Sequence, residues 1–180
     1  MSDQSGRILV VDDNEMNRDM LSRRLKRQQY NVAVAEDGLQ ALQHVQSEQV
    51  DLILLDIMMP NMSGYEVLET LKQNPDTQHI PVIMISAVDE LDSVVKCIEL
   101  GAEDYLFKPF NPVLLRARVS ASLSKRHKLD TAAIQSALTD VQTQLADLRA
   151  QLTELTPQQT QHFDALTQRL SDLQAIIAGK

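Results

Sequence analysis

Continuous apolar runs alternate with helix-spaced apolar positions along roughly the first two thirds of the chain. The runs are residues 7–11 (RILVV), 31–35 (NVAVA), 50–55 (VDLILL), 80–85 (IPVIMI) and 105–107. Uninterrupted runs of this kind suit strands buried on both faces of a parallel sheet. Between them, Met16, Met20, Leu21 and Leu25 recur at helical spacing, as do Leu39, Ala41, Leu42 and Val45. Tyr65, Val67, Leu68 and Leu71 mark a third helix closed by Asn74-Pro75, and Leu91, Val94, Val95 and Ile98 a fourth stopped by Gly101. Asn111 reads as the cap of a fifth helix with Pro112 at its first position. Five strands alternating with five helices predict an α/β domain, a doubly wound parallel sheet with right-handed crossovers.

The pattern changes near residue 124. Val113 to Thr156 contains neither Gly nor Pro, and Ile134, Leu138, Val141, Leu145, Leu148, Leu152 and Leu155 step alternately by four and three. With Leu138, Leu145 and Leu152 at position a and the others at d, the stretch reads as a coiled coil. Upstream, the seam would hold Ser120, Ser124, His127 and Thr131, so it weakens toward the domain. Thr156-Pro157 interrupts, with Gln159 completing a capping box. Phe163, Leu166, Leu170, Leu173 and Ile177 then resume the spacing in a shifted register. The chain either kinks and continues or turns back as a hairpin; the lack of a Gly-Asn type turn favours the kink. The expected organisation is a domain over 1–124, a coiled-coil helix over 125–156 and an amphipathic helix over 157–180.

Composition narrows the function. The formal charge is −8. The first 124 residues hold 11 basic and 19 acidic side chains, and residues 125–180 hold 6 of each, so the acidity belongs to the domain. That argues against nucleic-acid binding, which needs a basic face. Cys97 is the only cysteine, which excludes an intrachain disulfide. Polar residues at Met1–Gly6 and the lack of a long apolar run fit a cytoplasmic protein with no membrane span.

Four patches make chemical sense together. Asp12-Asp13, Asp56, Ser86 and Lys108-Pro109 each follow an apolar run. In a parallel sheet with helical crossovers such strand ends share one edge, where open α/β folds bind ligands. Any one of these residues alone is as well explained as a helix cap, a turn or a solvated lysine. In order, at successive strand ends, they form a set suited to Mg²⁺ and a phosphoryl group. Mg²⁺ takes a few carboxylates and keeps several waters, while a carboxylate can accept a phosphoryl group as an acyl phosphate. Arg18, Arg23, Arg24, Lys26 and Arg27 give the first helix a basic face, read as solvated or as a docking surface for a histidine-bearing partner.

The stretches ILVVDDNE, LILLDIMMPNMSGYE, PVIMISA and GAEDYLFKPF resemble the receiver domain of response regulators in two-component signalling. VDDNEMNRDML and ISAVDELDSV are similar to receivers joined to cyclases or kinases in modular bacterial proteins. The resemblance implies a flavodoxin-like sheet of order 2-1-3-4-5 and a phosphoacceptor at Asp56. It assigns Asp12, Asp13, Asp56 and the carbonyl of Met58 to Mg²⁺, Lys108 to the phosphoryl oxygens, Ser86 and Tyr105 to the switch, and a cis bond to Lys108-Pro109. Met58 and Val88 occupy places that tune phosphoryl lifetime in the family. Neither side chain orients water, which implies a long-lived acyl phosphate. The phosphodonor would be a histidine kinase or histidine phosphotransfer protein.

A solitary helical tail would expose a leucine stripe, so the tail is expected to form a homodimer or to capture a downstream protein. Three functions compete: a phosphorylation-controlled switch signalling through the coiled coil, a phosphorelay shuttle whose tail dimerises or localises it, and an assembly protein with a constitutive receiver. The intact acidic set argues against the third. An enzymatic role beyond slow self-dephosphorylation is not expected, since the tail is too short for a catalytic domain.

Overall fold

The computed structural model describes residues 6–87, 91–109, 111–151 and 156–178. Five strands, β1 (Arg7–Val11), β2 (Asn31–Ala35), β3 (Leu52–Asp56), β4 (Val82–Ser86) and β5 (Asp104–Phe107), form one parallel sheet in the order β2-β1-β3-β4-β5. The helices are α1 (Glu15–Arg27), α2 (Gly38–Ser47), α3 (Gly64–Gln73), α4 (Leu91–Glu99), α5 (Pro112–Gln151) and α6 (Pro157–Ile177). The doubly wound fold and its strand order are as expected. Strands β3 and β4 begin two residues later than the apolar runs suggest and end on Asp56 and Ser86 themselves.

Side chains alternate along each strand, and the alternation divides the core in two. Leu9, Val11, Ile53, Leu55, Val82 and Met84 face one side, packed with Ala41, Val67, Leu68, Leu71 and Cys97 from α2, α3 and α4. Ile8, Val10, Leu52, Leu54, Ile83 and Ile85 face the other, against Leu21 and Leu25 of α1 and Leu115 and Val119 of α5. Each fully buried Leu, Ile or Val contributes about 1.5–3 kcal/mol relative to exposure. Both faces of the sheet are thus covered, which is why its strands read as unbroken apolar runs.

Caps set where the helices start. Asn14 accepts hydrogen bonds from the amides of Met16 and Asn17, and Asp37 accepts one from Gln40. Ser63 and Glu66 form a capping box on α3. The Asn111 side chain accepts from the amide of Val113 at the start of α5. Farther along α5, Arg126 donates to the carbonyl of Val50 at 2.7 Å, tying the helix to the chain just before β3.

The chain divides into two compact units, Met1–Arg126 and His127–Lys180. Within the second, α5 and α6 run antiparallel. Gln142 donates to Gln174 at 3.0 Å, and Arg149 pairs with Asp164 at 2.8 Å. The kinked continuation favoured by the sequence is therefore replaced by a hairpin. Thr156 and Gln159 form the capping box that starts α6, with Pro157 in its first turn; residues 152–155, with the heptad positions Leu152 and Leu155, lie outside the described residues. The heptad also divides differently from expectation. Leu138 and Leu145 are half-buried, whereas Ile134, Val141 and Leu148 are exposed. On α6, Phe163, Leu170 and Ile177 are half-buried, whereas Leu166 and Leu173 are exposed. Among the described residues no helix is long and apolar enough to cross a membrane.

Candidate functional site

Register brings the site together. Val11 pairs with Leu55 and Asp56 with Ile85, so the residues that follow β1 lie beside the end of β3, and that end lies beside β4. Asp12 and Asp56 are buried, at 1% and 5% exposure, while Asp13 is exposed. One carboxylate oxygen from each of Asp12, Asp13 and Asp56 lies within 4.8 Å of the other two. Lys108 enters from the loop after β5. Its Nζ donates to Asp12 Oδ2 at 2.7 Å and to Asp56 Oδ2 at 2.8 Å, and its amide donates to the carbonyl of Ser86 at 2.7 Å. The Lys108-Pro109 bond is cis, as the resemblance implies. Asp12, Asp13, Asp56, Ser86 and Lys108 therefore gather at one sheet edge.

The free oxygens are distributed unequally. Asp12 Oδ1 is held by the amide of Asn14 at 2.9 Å and by Asn17 Nδ2 at 3.1 Å. Among the described residues, Asp56 Oδ1 receives only a long contact, 3.4 Å, from the amide of Met58. Burial raises the Asp56 carboxyl above the usual range; Lys108 opposes that shift and the Asp12 charge adds to it. Burial acts to lower the Lys108 ammonium, but its hydrogen bonds to Asp12 and Asp56 prevail and leave it raised. A buried carboxylate beside a second one is a group that gains from a further cation. Three clustered carboxylates with one lysine between two of them thus fit a divalent cation in both donor type and charge.

Tyr105 is 7% exposed and stacks obliquely on Phe107, ring centres 4.8 Å apart. The Tyr105 ring lies inward on the core face that carries Met84. Ser86 is fully buried at the end of β4. Met58 is 65% exposed. Val88 lies outside the described residues.

Two supports were not foreseen. Arg18 Nη1 donates to the carbonyls of Asp12 and Asp13 at 2.7 and 2.9 Å, so it fastens the acidic loop instead of joining a solvated face. Its place one turn into α1 was the only signal available. Gly64 packs against the backbone of Asp56 so closely that a Cβ would lie 2.2 Å from the Asp56 carbonyl oxygen. Met-Ser-Gly reads as loop composition and gives no warning of that approach.

Comparison with known proteins agrees with this geometry. Residues 8–120 match the response regulator receiver domain. The chain is 46% identical over 115 residues to the response regulator PleD of Caulobacter vibrioides, covering 64% of this chain and 25% of PleD. It is 43% identical over 119 residues to the alkaline phosphatase synthesis transcriptional regulatory protein PhoP of Bacillus subtilis, covering 66% and 49%. It thus spans a quarter to a half of the length of these curated relatives. A CheY-like response regulator receiver domain protein from Methanospirillum hungatei superposes with a TM-score of 0.65 at 30% identity, covering 69% of this chain and 98% of that one. The BeF3-activated DrrB receiver domain superposes with a TM-score of 0.59 at 36% identity, covering 67% and 98%. With sheet order, acidic cluster, bridging lysine and these likenesses in agreement, the chain belongs to the response-regulator receiver family.

Proposed function

We propose that this protein accepts a phosphoryl group on Asp56 from a phosphohistidine of a histidine kinase or phosphotransfer protein and signals by protein contact through its helical tail. The observation that carries the reading is the single lysine bridging Asp12 and Asp56 while Asp56 Oδ1 keeps its capacity. In the transfer, a carboxylate oxygen of Asp56 attacks phosphorus, the P–N bond breaks, and the imidazole leaves as the neutral ring after taking a proton. Lys108 is placed to neutralise oxygens of the transferring group. Asp12, Asp13, Asp56 and the carbonyl of Met58 would hold Mg²⁺, which when bound supplies charge neutralisation for the phosphoryl oxygens.

Output follows from differential contact. A phosphoryl group on Asp56 would draw the Ser86 hydroxyl toward it, and Tyr105, already inward, would be held there. The surface of α4 and β5 changes with them, and the tail carries the result to a downstream protein or a second copy. Dephosphorylation is slow, because Met58 presents no group that orients water. A cytoplasmic site of action suits such a phosphoacceptor. The direct test is mass spectrometry after incubation with a small acyl-phosphate donor and Mg²⁺. A gain of about 80 Da, the mass of a phosphoryl group, is expected on Asp56 and lost in Asp56→Asn. An unmodified Asp56 would refute the reading.

A further inference from the structure

The two helices of the hairpin use only half of their apolar residues on each other. The inward seam of α5 runs through Thr131, Gln135, Leu138, Gln142 and Leu145, all half-buried, and that of α6 through Thr160, Phe163, Leu170, Gln174 and Ile177. The second row on α5, Ile134, Val141 and Leu148, is 49%, 47% and 49% exposed, and Leu166 and Leu173 on α6 are 42% and 48% exposed. At about 100° per residue, each exposed row stands about 75° round its helix from the inward seam, in the same sense along both chains. Because the helices are antiparallel, equal offsets bring both rows to one side of the hairpin. The polar contacts support this. Thr139 and Asp164, which accept from Gln174 and Arg149, lie on the other side. One broad side is therefore a trough walled by Ile134, Val141, Leu148, Leu166 and Leu173.

We infer that this trough is covered by the same face of a second copy, forming an antiparallel four-helix bundle in which α6 of each copy lies on α5 of the other. The inference rests on the proposed function only in taking the tail as a contact element. Three observations choose a second copy. The face is self-complementary, apolar rows flanked by Ala137 and Gln144, as a two-fold interface requires. Its area is sufficient: α6 is about 30 Å long and a helix pair about 20 Å wide, so two copies bury about 1,200 Å², the lower end for stable specific pairs. Charge is confined to the rims and is complementary across them. Asp147 lies on the outer edge of α5 and Arg169 on that of α6. The Gln142–Gln174 and Arg149–Asp164 pairs set Arg169 level with the stretch between Gln142 and Arg149. A two-fold axis parallel to the helices preserves levels, so Arg169 meets Asp147 of the second copy. Within one hairpin those two residues stand on opposite rims and cannot meet. The same axis makes the two α5 helices parallel.

The test uses the full chain. Sedimentation equilibrium should show a dimer that Val141→Glu with Leu173→Glu converts to monomer. Asp147→Cys with Arg169→Cys, in a Cys97→Ala background, should oxidise to a covalent dimer, while either cysteine alone should not. Asp147→Arg or Arg169→Asp alone should weaken the dimer by about tenfold, and the two together should restore it, as an exposed but doubled ion pair allows. A monomeric full chain, a dimer indifferent to Val141→Glu with Leu173→Glu, or a cysteine pair that stays monomeric would overturn the inference. None of these readouts involves phosphorylation, so the chemistry at Asp56 stands or falls separately by its own mass test.

Discussion

Gly64 lies against the backbone of Asp56, with room for a hydrogen and nothing larger: a Cβ would meet the Asp56 carbonyl oxygen at 2.2 Å and the Cα of Ile57 at 2.9 Å. The Gly64 amide also donates to the carbonyl of Ile57 at 2.9 Å, so α3 starts directly on the segment that presents Asp56. Both clashing groups are backbone, which no rotamer change can relieve. Gly64→Ala should destabilise the chain by about 1–3 kcal/mol, the usual cost of overpacking, and should slow phosphoryl acceptance beyond that loss. Denaturant melts and the rate of acyl-phosphate labelling check the two effects separately.

The raised carboxyl of Asp56 has a signed consequence. A carboxyl raised by burial binds its proton more tightly in the fold than in the unfolded chain. Stability then falls as pH rises from the usual carboxylate range through the raised one, and stays lower above it. Asp56→Asn removes that loss. In EDTA it should melt above wild type at pH 7. The gap should close as pH falls below the usual carboxylate range. Thermal melts across pH measure it, and a variant less stable than wild type at pH 7 would contradict the sign.

Lys108 contributes in the opposite direction. It bridges two nearly buried carboxylates, and removing the cation they share leaves two buried negative charges uncompensated, which costs about 3–5 kcal/mol. Lys108→Met should be destabilised by an amount in that range at neutral pH. Mg²⁺ should recover more stability in this variant than in wild type, because the dication replaces the lost charge. At a hundred times the dissociation constant, binding contributes about 2.7 kcal/mol. Asp12→Ala combined with Lys108→Met should abolish the recovery. Melts with MgCl2 and with EDTA decide it.

The fold was legible because a sheet covered on both faces demands unbroken apolar strands, and this chain supplies them at residues 7–11 and 50–55. The acidic set was legible because each member ends or follows a strand. Gly64 and Arg18 were not legible, since both act through backbone atoms, which leave no mark in residue type. The hairpin was one of two readings and not the favoured one, for a different reason. A heptad records which residues want burial but not whether the partner helix is in the same chain. Leu138 and Ile134 look equivalent in sequence, yet the first turns toward α6 and the second outward.

The proposed long life of the acyl phosphate is tested at Met58. Its amide is 3.4 Å from Asp56 Oδ1, and its thioether side chain is exposed and offers water no strong acceptor. Met58→Glu places a carboxylate where water reaches the acyl phosphate. Loss of the label should quicken by about tenfold, a modest share of what a positioned base supplies. The decay of phosphorylated protein on Phos-tag gels follows it. Equal lifetimes would show that the side chain at this place has no influence.

Arg18 gives the clearest separation between supporting a site and belonging to it. Its guanidinium touches no carboxylate oxygen of the acidic cluster. It holds the carbonyls of Asp12 and Asp13, and thereby the direction in which their side chains leave the loop. With Arg18→Ala the three carboxylates keep their charge, so attraction for cations in general remains while the arrangement loosens. Groups that orient ligands from behind commonly govern affinity by 10–100-fold. Mg²⁺ binding, followed by calorimetry, should therefore weaken by about tenfold, while Ca²⁺, which accepts irregular geometry, should lose distinctly less. A uniform loss for both ions would mean that Arg18 acts through charge or stability alone, and an unchanged Mg²⁺ affinity would mean that the loop holds its shape without it.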